Sequence, residues 1–407
     1  MDNPVTRISV RNLVEFILQS GDLDNRRGTI DKDAMLKGSR LHRKLQKQMG
    51  GDYRAEVALR MNCSYEDLDI RLEGRADGIF TEDEVVWIDE IKGIYGNVEQ
   101  MEEPVKVHKA QAMCYGYIFG VQEGLSKIGI QMTYANLETE VVKRLREVIS
   151  IEELKEWYQK LLDEYHKWLS YQKKWKEERN HSLQSLEFPF SYREGQRKMV
   201  SSVYHAIGAS RQIFIQAPTG VGKTMSTIFP AVRAVGEGKG ETIFYLTAKT
   251  ITRTVAQEAF EVLREKGMKY KVVTITAKEK LCFMDETKCD PVHCPYARGH
   301  FDRVNDAVYE LWTTKSRYDR ETIREQAEKW QVCPFEMCLD LSVWVDAVIC
   351  DYNYVFDPTV HLERFFGEGA GGDYIFLIDE AHNLAERGRE MYSASICRED
   401  AVRVRKV

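Results

Sequence analysis

A short glycine-bearing stretch, residues 213–224, constrains this chain more than any other part of its sequence. The apolar run Ile213-Phe214-Ile215 predicts a buried β-strand, and residues 225–235 predict a helix. A glycine loop between a strand and a helix N-terminus can turn its backbone N–H groups toward a phosphate. The nucleotide-binding residues predicted here are Thr219, Gly220, Gly222, Lys223 for the β- and γ-phosphates, and Thr224 for Mg²⁺. The alternative is a glycine-rich turn with an exposed lysine.

An acidic pair follows another apolar run near the end of the chain. Residues 374–378 predict a strand that ends at Asp379 and Glu380. Such a pair completes a nucleotide site, since Asp379 would hold Mg²⁺ through water and Glu380 would polarise the attacking water. Strands and helices alternate between the two segments. This pattern predicts an α/β fold with a RecA-like, doubly wound parallel sheet that binds ATP at the carboxyl ends of its strands.

The first 150 residues predict a hairpin with chemistry at one end. Residues 68–80 and 85–91 predict strands joined by a turn. Their pairing brings Asp77 near Glu90 and Lys92, and residues 90 and 92 share a strand face because side chains alternate. Two carboxylates can hold Mg²⁺ or Mn²⁺ against a phosphate, and Lys92 would orient water or neutralise developing charge. The alternative is a solvated hairpin.

Composition narrows the classes of protein that remain. The net charge is −6, so any nucleic-acid binding depends on local basic patches. No apolar run approaches the ~20 residues that span a bilayer, and the N-terminus lacks an apolar signal core, which predicts a cytoplasmic protein. Five of the nine cysteines lie between residues 282 and 338. An odd number of cysteines, clustered in a reducing compartment, predicts zinc or iron–sulfur ligation rather than disulfides.

Residues 151–179 predict one long amphipathic helix. Its apolar and aromatic residues recur at helical spacing among charges: Leu154, Trp157, Leu161, Tyr165, Trp168 and Trp175. This spacing favours a connector that packs on a neighbouring domain. A basic-aromatic platform for DNA is the alternative.

Several motifs together resemble the XPD/DinG-type superfamily 2 DNA helicases, which carry an iron–sulfur cluster. They are the loop at 217–224, the entry segment at 188–196, Asp379-Glu-Ala-His382, the cysteine-rich stretch and the segment at 350–357. The resemblance implies ATP and Mg²⁺ as ligands, DNA with a single-stranded region as partner, and 5′→3′ translocation. It also implies that Gln196 reads the adenine edge and that His382 couples the nucleotide to DNA. The implied [4Fe–4S] ligands are Cys282, Cys289, Cys294 and Cys333, with Cys338 as a spare and zinc as the alternative metal.

The N-terminal motifs resemble the RecB-like branch of the PD-(D/E)xK nucleases. Beside Asp77, Glu90 and Lys92, the chain has His42 in Gly38-Ser-Arg-Leu-His42 and a helix with Gln111-Ala-Met-Cys-Tyr115. The resemblance implies that His42 joins Asp77 and Glu90 as a metal ligand. It also implies that Gln111 and Tyr115 support the active site and touch DNA. Because only Cys63 and Cys114 lie in this region, no cluster is expected there.

These features predict five segments: a nuclease domain at 1–150, with a mixed sheet flanked by helices; a helical linker at 151–185; a RecA-like domain at 186–280 and 346–385; an inserted iron–sulfur domain at 281–345; and the start of a further domain at 386–407. The expected activity is metal-dependent DNA cleavage coupled to ATP-driven translocation in DNA repair or processing. Since no second motor domain with an arginine finger follows, a truncated nuclease–helicase with poor ATP hydrolysis is expected. A non-catalytic DNA clamp and a redox-sensing, ATP-dependent regulator are the alternatives.

Overall fold

The computed structural model describes residues 5–27, 32–218, 220–248, 250–367, 370–395 and 397–398. The chain folds into two compact units. The first contains residues 1–171, 289–293 and 297–302, and the second contains 172–288, 294–296 and 303–407. Two short segments of the cysteine-rich region thus belong to the first unit. Backbone hydrogen bonds of 2.9 Å join them to its N-terminal part, from Leu23 N to Ala297 O and from Asn25 N to Cys289 O.

A six-stranded mixed sheet forms the first unit. Its strands are β1 (Val5–Ser9), β2 (Arg54–Ser64), β3 (Asp69–Glu82), β4 (Val85–Ile94), β5 (Lys127–Asn136) and β6 (Val142–Ser150). They lie in the order β1-β3-β4-β5-β6, and β2 pairs with β3. The β1–β3 and β4–β5 pairs are parallel, and the other pairs are antiparallel. β2 and β3 form a long ribbon, because their pairing extends from Arg54 opposite Ile79 to Ser64 opposite Asp69.

Helices flank this sheet. They are α1 (Val10–Ile17), α2 (Lys32–Gln48), α3 (Lys106–Gln122) and the first part of α4 (Ile151–Gln184). The aromatic stripe of α4 packs in the core of the unit, where Leu154, Leu161, Tyr165 and Trp168 are at most 7% exposed. The DNA-platform alternative is therefore wrong for these residues, because their side chains are already covered by protein.

The second unit contains a five-stranded sheet in which every pairing is parallel. Its strands are β7 (Thr242–Leu246), β8 (Val272–Thr274), β9 (Arg317–Tyr318), β10 (Ala347–Cys350) and β11 (Tyr374–Ile378), in the order β11-β7-β10-β8-β9. Strands β7 and β10 are apolar and buried along almost their whole length, as in parallel sheets that are covered on both faces. The predicted parallel α/β sheet is confirmed for this unit.

The helices of this unit are α5 (Gln196–Gly208), α6 (Lys223–Gly236), α7 (Thr250–Glu265), α8 (Lys278–Leu281), α9 (Val304–Thr314), α10 (Arg320–Trp330), α11 (Pro334–Ser342), α12 (Asn353–Phe356), α13 (Glu363–Phe366) and α14 (Leu384–Met391). Part of the predicted insertion joins the sheet itself, since β9 pairs with β8. Across the described ranges of both units, every helix is too short or too polar to cross a membrane.

A buried ion pair fastens the last part of α4 to the second sheet. Arg179 Nη1 donates to Asp346 Oδ1 at 2.7 Å, and both side chains are 5% exposed. The other carboxylate oxygen accepts from Trp175 Nε1 at 2.9 Å and from Lys271 N at 2.8 Å. Asp346 is therefore satisfied from three directions at the point where β10 begins.

The prediction of a buried strand at residues 213–215 is wrong. Ile213, Phe214 and Ile215 lie in a stretch without regular secondary structure and are 43%, 90% and 38% exposed. Strand β11 pairs only with β7 among the described residues, so it is an edge strand. A three-residue apolar run is too short for its sequence alone to determine whether it enters a sheet.

Candidate metal and nucleotide sites

The β3–β4 hairpin positions the carboxylates of the first candidate site. Gly78 pairs with Asp89, so Asp77 lies opposite the segment that begins at Glu90. The Asp77 side chain accepts a hydrogen bond from Ile91 N at Oδ2, over 2.7 Å. Antiparallel pairing therefore brings two carboxylates that are distant in sequence to one end of the hairpin.

Helix α2 brings His42 to the same place. His42 Nε2 lies 3.0 Å from Asp77 Oδ2, and Nδ1 lies 3.7 Å from Glu56 Oε1. One ligand atom from each of His42, Glu56 and Asp77 falls within 4.8 Å of the others. Gln46, one turn further along α2, donates to Glu56 Oε1 at 3.0 Å and to Asp77 O at 2.9 Å. The hydrogen bond to Asp77 raises the pKa of His42 above its ordinary value.

Glu90 lies opposite Asp77 across the hairpin and is buried, and it is not one of the three residues whose ligand atoms fall within 4.8 Å of one another. Its side chain is 1% exposed, and Oε1 lies 2.9 Å from Lys92 Nζ. Lys92 also donates to Gln111 Oε1 at 3.0 Å. Glu90 Oε2 is buried without a hydrogen-bond partner among the described residues. Burial, followed by the nearby Asp77 charge, raises the pKa of Glu90 to about 8.

These residues fit a small, hard divalent cation. Carboxylate oxygens and an imidazole nitrogen suit Mg²⁺ or Mn²⁺. The unpartnered Glu90 Oε2 is a buried acceptor whose desolvation a cation would offset. Glu56, whose side chain is 44% exposed, joins His42 and Asp77 in space.

Helix α3 supports the hairpin from the other side. Tyr115 lies one turn beyond Gln111, and its hydroxyl oxygen accepts from Arg75 N at 3.2 Å. A Cβ added to Gly74 would lie 2.6 Å from that oxygen, so this close approach requires glycine. Burial raises the pKa of Tyr115 to about 12, so the hydroxyl stays neutral. Tyr115 therefore positions β3.

Metal binding at this site should strengthen as the pH rises. The pKa of Glu90 is raised in the folded chain, so folding stability without metal falls as the pH rises toward about 8. Mg²⁺ or Mn²⁺ requires deprotonated Glu90 and neutral His42, and it competes with both protons. We expect Mn²⁺ to raise the melting temperature more at pH 8 than at pH 6. Glu90→Gln should reduce this difference and leave the part that His42 contributes, whereas equal shifts in the unmodified chain would contradict the assignment.

The glycine loop forms the second candidate site. Gly220 and Gly222 have φ of 81° and 77°, a region that favours glycine, and α6 begins at Lys223. Lys223 Nζ donates to Ala217 O at 3.3 Å and lies 3.7 Å from Glu380 Oε1. The structure therefore brings the loop lysine to the acidic pair. Thr219 lies outside the described residues.

Strand β11 delivers the acidic pair to this loop. Asp379 N donates to Leu246 O at 3.0 Å, which continues the β11–β7 ladder to the carboxyl end of the sheet. Burial, followed by the Glu380 charge, raises the pKa of Asp379 above its ordinary value. His382 Nδ1 lies 3.4 Å from Glu380 Oε2, and the His382 side chain is 72% exposed.

Tyrosines that sequence reasoning missed link the two halves of the site. Tyr245 lies beside both Thr224 and Asp379, and burial followed by the Asp379 charge raises the pKa of its hydroxyl. Tyr352 donates to Asp379 O and, at 3.2 Å, to Glu380 O. In the sequence, Tyr245 is one of several apolar strand residues, and nothing there distinguishes it from core.

Gln196 is placed directly beside the loop. It is 4% exposed, and its Oε1 accepts from Arg193 N at 3.0 Å. A Cβ on Gly222 would lie 2.7 Å from Gln196 Nε2. The Arg193 guanidinium, also missed from sequence, donates to Gly220 O. The entry segment is therefore in direct contact with the phosphate loop.

The cysteines are more dispersed. Within the second unit, Cys294 is buried, Cys282 follows α8, and Cys333 precedes the first residue of α11. Among the described residues, no three thiols lie as close together as His42, Glu56 and Asp77, so a compact zinc tetrahedron is not preformed. A four-iron cluster separates its thiolates further, and thiols are the donors that it requires. Burial raises the pKa of Cys338 to about 12, which favours a core residue over a spare ligand.

Two protein families match the second half of the chain. The DEAD/DEAH box helicase family matches residues 193–294, and the DEAD_2 family matches residues 252–401. Residues 193–401 are therefore similar to helicase families. The matches include the glycine loop and the acidic pair, which are the segments predicted to bind ATP and Mg²⁺.

The curated relatives are much longer than this chain. The Fanconi anemia group J protein homolog of Gallus gallus is 31% identical over 104 residues, or 25% of this chain and 8% of that protein. The regulator of telomere elongation helicase 1 homolog of Caenorhabditis elegans is 23% identical over 244 residues, or 49% of this chain and 24% of that protein. The chain therefore spans less than a third of either relative. A solved XPD helicase is 18% identical over 49% of this chain and 34% of that chain, with a TM-score of 0.33.

Proposed function

We propose that this chain is part of an ATP-dependent DNA helicase that also carries a metal-dependent nuclease. The helicase half is supported by the matches over residues 193–401, and the nuclease half by the geometry around Asp77. The observation that carries the nuclease proposal is the gathering of His42, Glu56 and Asp77, while Glu90, opposite Asp77 across the hairpin, keeps one buried oxygen without a partner among the described residues. Single-stranded DNA, or DNA with a single-stranded tail, is the proposed substrate, and 5′→3′ is the proposed direction of movement.

In the first site, His42, Asp77 and Glu90 would hold Mg²⁺ or Mn²⁺, with Glu56 beside them. The bound ion would polarise the scissile phosphate and lower the pKa of a water molecule. Lys92, held between Glu90 and Gln111, would orient that water or neutralise charge on the phosphate oxygens. Gln46 fixes Glu56 through a side-chain hydrogen bond, so the carboxylate is oriented before substrate arrives.

In the second site, Lys223 would exchange its contact with Glu380 for the β- and γ-phosphates of ATP. Thr224 and Asp379, which both lie beside Tyr245, would hold Mg²⁺. Glu380, released from Lys223, would polarise the attacking water. Gln196 would read the adenine edge, because its amide can donate and accept together.

Cys282, Cys289, Cys294 and Cys333 are the proposed ligands of a [4Fe–4S] cluster. Their thiolate chemistry suits iron–sulfur ligation. Protein purified without oxygen should be brown if this assignment is right. Iron and sulfide in about equal amounts would support the cluster, and zinc alone would contradict it.

The nuclease proposal is tested by incubating the full chain with a labelled single-stranded oligonucleotide. Cleavage should require added Mn²⁺ or Mg²⁺ and should stop when EDTA is added. Denaturing electrophoresis distinguishes shortened strands from bound ones. Intact strands at every metal concentration would contradict the nuclease half and leave the helicase half standing.

Replacing Lys223 should weaken ATP binding selectively. Lys223→Ala removes the ammonium group that would neutralise the phosphates, and we expect the Kd for Mg-ATP to rise at least ~10-fold. Titration with a fluorescent ATP analogue measures the change. Lys239→Ala is the matched control, because Lys239 lies just beyond the other end of α6, where it pairs with Glu237. Equal affinities of the Lys223→Ala and unmodified chains would contradict the role of the loop.

A further inference from the structure

The outer face of the β2–β3 ribbon carries a row of charge that leads to the first site. Register pairs Ala58 with Arg75 and Arg60 with Glu73. Side chains alternate along a strand, and Leu59, Leu72 and Ala76 fill the core, so residues 58, 60, 73 and 75 face away from it. Arg75 Nη1 lies 3.5 Å from Glu56 Oε2, and Glu56 belongs to the group formed with His42 and Asp77. The row of arginines therefore ends at the candidate metal ligands.

This surface is concave. A groove of about 790 Å³ is lined by Ala58, Leu59, Arg60, Glu73, Gly74 and Arg75. Its floor is low because Ala58, which faces outward, has a side chain of a single methyl group. Gly74 faces the other side of the ribbon, where the Tyr115 hydroxyl occupies the space of a Cβ. The contact with Tyr115 therefore positions the strand that forms one wall of the groove.

The arginines of the groove are available to a ligand. The Arg75 side chain is 65% exposed, and its Nη1 lies 3.5 Å from Glu56 Oε2, a long and solvated contact. Arg60 is exposed, and its backbone oxygen accepts from Gln122 Nε2 at 2.8 Å, which fixes the strand. Glu73 provides one negative charge against these two positive ones. Planar guanidinium groups bind phosphate oxygens in a bidentate manner, which suits a phosphodiester backbone.

We propose that this groove holds the phosphodiester backbone of one nucleic-acid strand and guides it to His42, Glu56 and Asp77. The inference rests on the proposed nuclease function and adds Arg60 and Arg75 as positioning residues. A phosphate that takes Arg75 releases Glu56, which keeps its hydrogen bond from Gln46. A single strand is the proposed occupant, because the arginines form one row that continues to one metal site.

The test uses the full chain, a fluorescein-labelled oligodeoxythymidine and EDTA, so that binding is measured without cleavage. Arg60→Ala and Arg75→Ala should each raise the Kd about 5-fold, and the slope of log K against log salt should fall by ~0.7 for each lost phosphate contact. Glu73→Gln, in the same groove with the opposite sign of charge, should leave binding unchanged or tighten it. Arg11→Ala, an exposed arginine paired with Glu15 on α1, should change neither quantity.

Cleavage kinetics provide a second readout. With Mn²⁺ present, Arg60→Ala and Arg75→Ala should raise KM for the oligonucleotide and change kcat less than about 2-fold, because uniform binding is lost. Unchanged Kd and KM in both variants would contradict the proposed role of the groove without affecting the nuclease proposal. Weakened binding in both variants, in a chain that never cleaves, would contradict the nuclease proposal and still support the groove. If both variants weakened binding to a blunt duplex and left binding to the single strand unchanged, the single-strand assignment would be overturned.

Discussion

Replacement of Asp77 by asparagine is expected to reduce metal-dependent DNA cleavage by at least ~100-fold. Loss of a residue that only supports a ligand typically costs 10–100-fold, and Asp77 would be a ligand itself. Asparagine keeps the shape and can still accept the hydrogen bond from Ile91 N, so the hairpin should remain folded. Initial rates of oligonucleotide cleavage at saturating Mn²⁺ measure the effect, and the melting temperature reports on folding.

Two comparisons make this result specific. Asp69→Asn changes the same residue type at the beginning of the same strand, and its cleavage rate should stay within about 2-fold of the unmodified chain. ATP binding should be unaffected by Asp77→Asn, because the nucleotide site is built from the second unit. Cleavage that survives Asp77→Asn in a folded, contaminant-free preparation would eliminate this site as the nuclease.

Replacement of Asp346 by alanine is expected to destabilise the second unit by about 3–5 kcal/mol. The change removes one member of a buried ion pair and leaves the Arg179 charge without its counterion. It also removes the acceptor of Trp175 Nε1 and of Lys271 N. Urea unfolding followed by tryptophan fluorescence measures the loss, and Trp175 is itself a probe at the site.

The matched control is the exposed pair of Lys269 and Glu178. Their side chains are 55% and 56% exposed and lie 2.8 Å apart, also between the last part of α4 and the segment before β8. Exposed ion pairs contribute little to stability, so Glu178→Ala should leave the urea midpoint nearly unchanged. Similar midpoints for Asp346→Ala and the unmodified chain would mean that water replaces the lost carboxylate.

The sequence predicted the hairpin of the first site well. The strands predicted at 68–80 and 85–91 correspond to β3 and β4, and the predicted linker helix corresponds to α4. These segments are long and strongly patterned, so local residues decide them. Strands β5 and β6 were missed, and the short run at 213–215 was assigned wrongly, because its environment depends on distant strands.

Two adjacent carboxylates differ in a way that the sequence alone does not predict. Asp89 and Glu90 are chemically similar neighbours on β4. Asp89 is buried and accepts hydrogen bonds from Tyr53 and Gln131, both at 2.9 Å, so its oxygens are satisfied. Glu90 points to the other face and keeps one oxygen without a partner in the described part of the chain. Motif spacing selected Glu90, but only packing explains why that carboxylate remains open to a cation.

By itself, the sequence determined which segments are candidates for handling phosphate: a glycine loop with a lysine, an acidic pair after an apolar strand, and carboxylates spaced across a hairpin. Local chemistry and strand periodicity are sufficient for that. The tertiary structure decided which atoms are available, by placing Glu56 with His42 and Asp77, by bringing Tyr245 beside Thr224 and Asp379, and by burying the aromatic stripe of α4. The physical reason is that burial and hydrogen-bond satisfaction depend on residues that are far apart in the chain.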